Sequence, residues 1–275
     1  MLDKKIEDLK ENALWLDDII SLFNVIGDNL FLRMSNVITW EKTTINYWGN
    51  PILDSISKTL ETIKFALNNQ SISDAYVLAR KVRDDALIAI MLVDLIENYN
   101  LASFSGEAPF FPKKTLPKEE VVKWFKSNLS SKVKSKLGYN EFIQYFSSNT
   151  VIKTFINQFY QDKQKRWNRI LNNHVHGNSI DVYFDNFSYL NDTKRHEDVK
   201  EVVYGLTSFI LSIIILIDSS LLMSSDYTDA LDVAIEPPLN SQYWVAPIFK
   251  KYLTENFKKE EIEYLRDNQK FQMEF

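Results

Sequence analysis

Val202-Val-Tyr-Gly-Leu-Thr-Ser-Phe209-Ile-Leu-Ser-Ile-Ile-Ile-Leu-Ile217-Asp-Ser-Ser-Leu-Leu-Met223 is the most apolar run of the chain, and its length approaches that of a bilayer span. Its details favour a protein interior. Gly205, Asp218 and the hydroxyls of Thr207, Ser208, Ser212 and Ser219 interrupt it, and Asp198, Lys200 and Glu201 flank it. A helix apolar on every face is what the centre of a large helical domain requires. The expectation is a buried core helix with no membrane partner, a membrane span being the alternative.

The rest of the composition fits an all-α fold. The chain has 275 residues, 45% hydrophobic and 13% aromatic, which is enough to bury a substantial core. Six glycines and seven prolines are few for that length and leave little turn-rich β structure. With 32 basic and 37 acidic residues the net charge is −5, so no globally basic surface exists and any nucleic-acid contact needs a local patch. The chain has no cysteine, which removes disulfides, thiolate catalysis and thiolate metal sites together. The first residues carry no secretory apolar region, and the expected location is the cytoplasm.

Working outward, Ile6, Leu9, Ala13, Leu16, Ile20 and Phe23 step by three and four and predict a helix over 3–26. A second apolar segment, 30–48, is rich in Trp and β-branched residues and reads less clearly. Asn50-Pro51 is a cap and N1 pair, opening a helix with Ile52, Ile56, Leu60, Ile63 and Phe65. Ser71 or Ser73, with Asp74, caps a long helix to Tyr99, whose buried stripe is Ala75, Leu78, Ala79, Val82, Ala86, Ile90 and Val93. Arg80, Arg83, Asp84 and Asp85 sit inside that helix. Residues 100–116 read as a packed loop, Pro117 starts a helix, 139–146 form a short one, and 150–176 form one continuous helix. An ordered loop or stray strand follows over 178–191, and a charged helix over 253–268 closes the chain. Three segments are expected: N-terminal helices over 1–70, a helical bundle over 71–235 and a C-terminal segment over 236–275.

Two of the three histidines fall in Arg166-Trp-Asn-Arg169-Ile-Leu-Asn172-Asn173-His174-Val-His176-Gly177. At about 100° per residue, His176 lies within roughly 20° of Arg169 on one helix face, and Asn172 and Asn173 join that stripe. His174 points elsewhere, and Gly177 suits the left-handed C′ position. The same residues also satisfy ordinary helix-stop chemistry, since histidines in a last turn interact well with the exposed carbonyls. As tools, a near-neutral base, a fixed guanidinium and orienting amides are what metal-free RNA cleavage needs. Arg166 could add a phosphate contact, or belong with Lys163 and Lys165 to a solvated face. No phosphate-cradling glycine loop, nucleophile elbow or Glu-x-x-His pair occurs. A zinc site from His174 and His176 with Asp181 or His196 is disfavoured, because His-x-His on a helix sends the rings about 200° apart. No metal and no cofactor are expected.

The segment resembles the HEPN superfamily of helical domains, whose hallmark is an arginine followed a few residues later by a histidine at a helix end. Four residues separate Arg169 from His174 and six separate it from His176, and Asn172-Asn-His-Val175-His176-Gly177 is similar to the Asn-x-x-Val-His-Gly helix ends of HEPN-like defence proteins. Those proteins often carry an arginine and an acid on an earlier helix, as Arg80 and Asp84 stand here. The resemblance covers 73–98 and 150–223. It implies an all-α HEPN-like bundle, RNA as substrate, a homodimer with the site at its interface, and a role in antiviral defence or as a toxin. Arg169, Asn172, Asn173 and His176 would be catalytic, and His174, Arg166, Arg80 and Asp84 would bind. A regulatory protein partner is the further expectation for the N-terminal helices. Ile170 stands where family nucleases carry a polar residue, and this departure keeps a second implication open: a non-catalytic sensor or interaction module binding a nucleotide or a protein.

Overall fold

A helix apolar all round must be walled in on every side, and the computed structural model shows how. It describes residues 13–33, 36–40, 43–47, 50–99, 138–178, 180–186 and 193–275. The elements are α1 (Trp15–Arg33), β1 (Asn36–Trp40), β2 (Thr43–Tyr47), α2 (Asn50–Asn68), α3 (Ile72–Tyr99), α4 (Tyr139–Phe146), α5 (Thr150–Phe155), α6 (Gln161–His176), α7 (Asp181–Phe184), α8 (Thr193–Asp218), α9 (Asp226–Asp232), α10 (Pro247–Asn256) and α11 (Lys259–Asn268). The fold is all-α apart from the β1–β2 hairpin. The predicted start of the first helix at 3–12, the loop at 100–116 and the helix at Pro117 lie outside the described residues.

The apolar run over 202–223 forms the later part of α8 and the 3₁₀ turn Ser219–Leu222 after it. Val199, Val202, Val203, Leu206 and the whole stretch 209–217 are buried, and 89% of its apolar window lies inside the protein. Two of its buried hydroxyls are satisfied in place: Ser212 Oγ donates to Ser208 O at 2.8 Å, and Ser208 Oγ lies 3.3 Å from the Tyr252 hydroxyl. Buried Asp218 accepts from the Ser220 amide at 3.1 Å. Helices α3, α5, α10 and α11 all pack on α8, while α3 also packs on α2, α4 and α6, and α1 on α2 and α10. One core cluster runs from Ala13 to Met273 and draws on all three segments distinguished in the sequence.

Four local differences from the sequence reading have physical causes. First, part of 30–48 is an antiparallel hairpin pairing Ile38 with Ile45 and Trp40 with Thr43; its β-branched residues favour the pleated backbone over the helix. Second, the helix over 150–176 is broken by a π turn at Ile156–Tyr160. Buried Ile152, Ile156, Tyr160 and Gln164 are spaced by four throughout. On a regular helix three such steps drift by about 120°, and the wide turn absorbs that drift. Third, 253–268 is two helices: Phe257 turns inward in an extended conformation, and Lys258 N donates to Glu261 Oε2 at 2.8 Å to start α11. Fourth, 178–191 contains the single helical turn α7.

A close side-chain-on-backbone contact seats α6 on α8. A Cβ on Gly205 would lie 2.3 Å from Trp167 Cζ2, so the indole lies against bare backbone. Gly205→Ala is expected to cost about 1–3 kcal/mol through overpacking, read as a lower urea midpoint. An unchanged midpoint would show that the indole moves aside freely.

Candidate functional site

Helix α6 ends where the sequence predicts. Gly177 takes φ 59°, and the amides of Gly177 and Asn178 both donate to Asn173 O. The conformation suits glycine, and the Tyr183 hydroxyl fills the space a Cβ would need, at 2.4 Å. This stop sets where the last turn's side chains point. Arg169, Asn172 and His176 are exposed on one face and Asn173 is half-buried beside them. Their side chains form no hydrogen bond or ion pair among the described residues. They remain open to a ligand.

His174 faces the other way. Its ring is 8% exposed and lies on the Tyr76 ring with centroids 4.2 Å apart. Nδ1 is 3.2 Å from Ser73 Oγ, and Nε2 is 3.8 Å from Asp185, which pairs with Arg195 at 2.8 Å. Asn186 Oδ1 accepts from Ser73 N at 2.9 Å, closing the start of α3. His174 therefore pins the end of α6 to α3 and to the turn after α7. The two histidines of the His-x-His pair lie on opposite sides of the helix, and no group of three His, Asp or Glu suited to a metal occurs among the described residues.

The second α3–α6 contact is a residue the sequence reading noted but did not select. Arg83 is 2% exposed. Its Nε and Nη2 donate to Asp84 Oδ1 at 2.8 and 2.7 Å, its Nη1 to Asn168 Oδ1 at 2.5 Å, and its guanidinium stacks 4.2 Å over the Tyr139 ring. Burial pushes the Tyr139 hydroxyl above the usual phenol range, with Arg83 opposing. The signal was present in the sequence: Arg83 stands four residues after Ala79 and before Leu87, on the apolar stripe of α3. An arginine there must bring its own partners.

Asp84 is shared. Arg80 Nε lies 3.7 Å from its other oxygen, and Arg80 Nη1 is buried without a hydrogen-bond partner. Ser73 meets His174 and Arg83 meets Asn168, so α3 and α6 run antiparallel and Arg80 sits at about the level of Arg169. Arg166, by contrast, is engaged: its two Nη atoms grip Glu201 of α8 at 2.7 and 3.1 Å. His196 is buried in the first turns of α8 with neither ring nitrogen hydrogen-bonded. No known protein family, curated protein or solved structure matches this chain.

Arg83→Met takes the donor from Asn168 and one of the two cations from Asp84, which keeps Arg80, and should cost about 1–3 kcal/mol, whereas Arg80→Met, half-exposed, should cost under about 1 kcal/mol. Equal urea midpoints for the two variants would contradict the assignment. Burial also holds the His174 and His196 imidazoles below their ordinary 6.5. The unfolded chain then binds protons at a higher pH than the native one, so stability is whole above about pH 6.5 and falls as pH drops toward the depressed values. The urea midpoint should decline on acidification through that window, and His174→Gln should flatten the decline. An unaltered slope would remove His174 from the account.

Proposed function

We propose that the protein is a metal-independent, HEPN-like endoribonuclease acting in the cytoplasm in antiviral defence or as a toxin. The observation that carries this reading is the open stripe of Arg169, Asn172 and His176 at the end of α6, with His174 buried behind it. In the reaction the RNA 2′-oxygen attacks the adjacent phosphorus as its proton passes to a base. The 5′-oxygen leaves with a proton from an acid, and a 2′,3′-cyclic phosphate remains. His176 serves as one of these proton-transfer groups. Arg169 stabilises charge on the phosphorane bidentately, and Asn172 and Asn173 orient imidazole or phosphate. Arg80, with a free buried nitrogen at the same level, adds positive potential, tempered by Asp84.

One imidazole handles one end of an in-line displacement. A two-fold dimer would supply the second. Val175, Ile180 and Tyr183 are exposed around the end of α6, an apolar surface fit to be covered by a second copy. A second reading, a non-catalytic sensor or interaction module binding a nucleotide or protein partner, draws on Ile170, which packs against the core directly after Arg169, where a polar neighbour would otherwise assist.

Purified protein incubated with total RNA in EDTA should leave 2′,3′-cyclic phosphate ends. His176→Ala and Arg169→Ala should each lower the rate roughly 100-fold or more, with urea midpoints unchanged because both side chains are exposed. Cleavage at the wild-type rate in either variant would sink the nuclease assignment. RNA or nucleotide binding without turnover would favour the sensor reading.

A further inference from the structure

Between the end of the core helix and α10 the chain forms an arm over 225–240 that the described residues leave largely uncovered. No residue of 225–240 is buried, yet the arm is apolar: Leu231, Val233, Ile235 and Leu239 are 51%, 64%, 63% and 86% exposed. Large aliphatic side chains gathered in one short segment mark an interaction surface, whereas single ones do not.

The backbone adds an independent observation. Helix α9 ends in a complete Schellman turn, with Ala234 N donating to Leu231 O at 3.0 Å and Ile235 N to Ala230 O at 2.9 Å. The left-handed position belongs to Ala234 at φ 55°, where glycine is normal. The two Schellman hydrogen bonds hold alanine in that conformation, so the exposed side chains on either side of the turn are presented in a fixed arrangement.

Charge identifies the class of partner. Asp226, Asp229, Asp232 and Glu236 lie along the same arm, all exposed, and none is paired with a cation among the described residues. From 201 to 249 the chain contains no lysine or arginine. A cleft of about 430 Å³ opens at the base of the arm, lined in part by Asn29, Tyr227, Thr228, Gln242 and Phe271. An apolar arm whose own charged residues are all acidic repels RNA, anionic membranes and the same arm of a second copy, although Lys270 lies beside Phe271 at its base. It complements a cationic amphipathic segment laid across it.

We propose that residues 225–240 form a docking arm for a basic amphipathic segment of another protein, with Leu231, Val233, Ile235 and Leu239 as anchors and the four acids setting its orientation. This site is separate from the α6 stripe and does not depend on its function.

The probe is a fluorescein-labelled synthetic helix of leucine and lysine in amphipathic spacing, followed by fluorescence anisotropy, beside a matched leucine–glutamate helix. The wild-type chain should bind the lysine peptide and ignore the glutamate one, with affinity falling as salt rises. Val233→Ser with Ile235→Ser and Leu239→Ser should weaken binding at least roughly tenfold, and so should Asp229→Asn with Asp232→Asn and Glu236→Gln. Thermal midpoints should stay at the wild-type value, since all six side chains are exposed. Equal binding of both peptides, or wild-type affinity in either variant set, would overturn the proposal. So would cross-links from the arm to the chain's own lysine-rich residues 113–136, which would make the occupant internal.

Discussion

The constraint on which everything else rests is that α8, from Leu206 to its end, has no face that meets water. Nine consecutive residues, 209–217, are buried, and each helix around them exists in its place because some side of α8 needs covering. Burial at about 25 cal/mol per Å² rewards such coverage without specifying direction. Direction comes from detail. Gly205 admits the Trp167 ring against the backbone and sets how closely α6 lies, while Ser212 donates back to Ser208 O within the core helix and the Ser208 hydroxyl links it to Tyr252.

Helix α6 then has its rotation decided twice over. Arg83 grips Asn168 near its middle, and Ser73 and Tyr76 hold His174 near its end. With 168 and 174 turned toward α3, positions 169, 172 and 176 are left facing outward by the helix period. The open stripe is thus a consequence of the two buried contacts, and polar side chains inside the fold position the polar side chains outside it. The π turn upstream serves the same end, since without it the apolar residues before and after 156–160 would lie on different faces.

The charge distribution separates two surfaces. The α6 face presents Arg169 and His176 with Arg80 at the same level, whereas the arm over 225–240 is acidic and apolar with no cation nearby in the sequence. A net charge of −5 hides both, because it averages over a locally cationic stripe and a locally anionic arm.

Much of this was legible from the sequence alone, for local reasons. The all-round apolar run, the bounds of α4 and the glycine stop at 177 all rest on chemistry within a turn or two of the residues concerned. The common face of Arg169, Asn172 and His176, and the opposite turn of His174, follow from helix period alone. The tertiary structure decided the rest. It chose Arg83 as the buried arginine, because only the approach of Asn168, 85 positions away, and of Tyr139 shows where that guanidinium is satisfied. It engaged Arg166 with Glu201, opened the π turn, and left Ile235 and Leu239 uncovered. Periodicity reports which side chains share a face. Which face finds a partner is set by contacts between distant segments, and those exist only once the chain has packed.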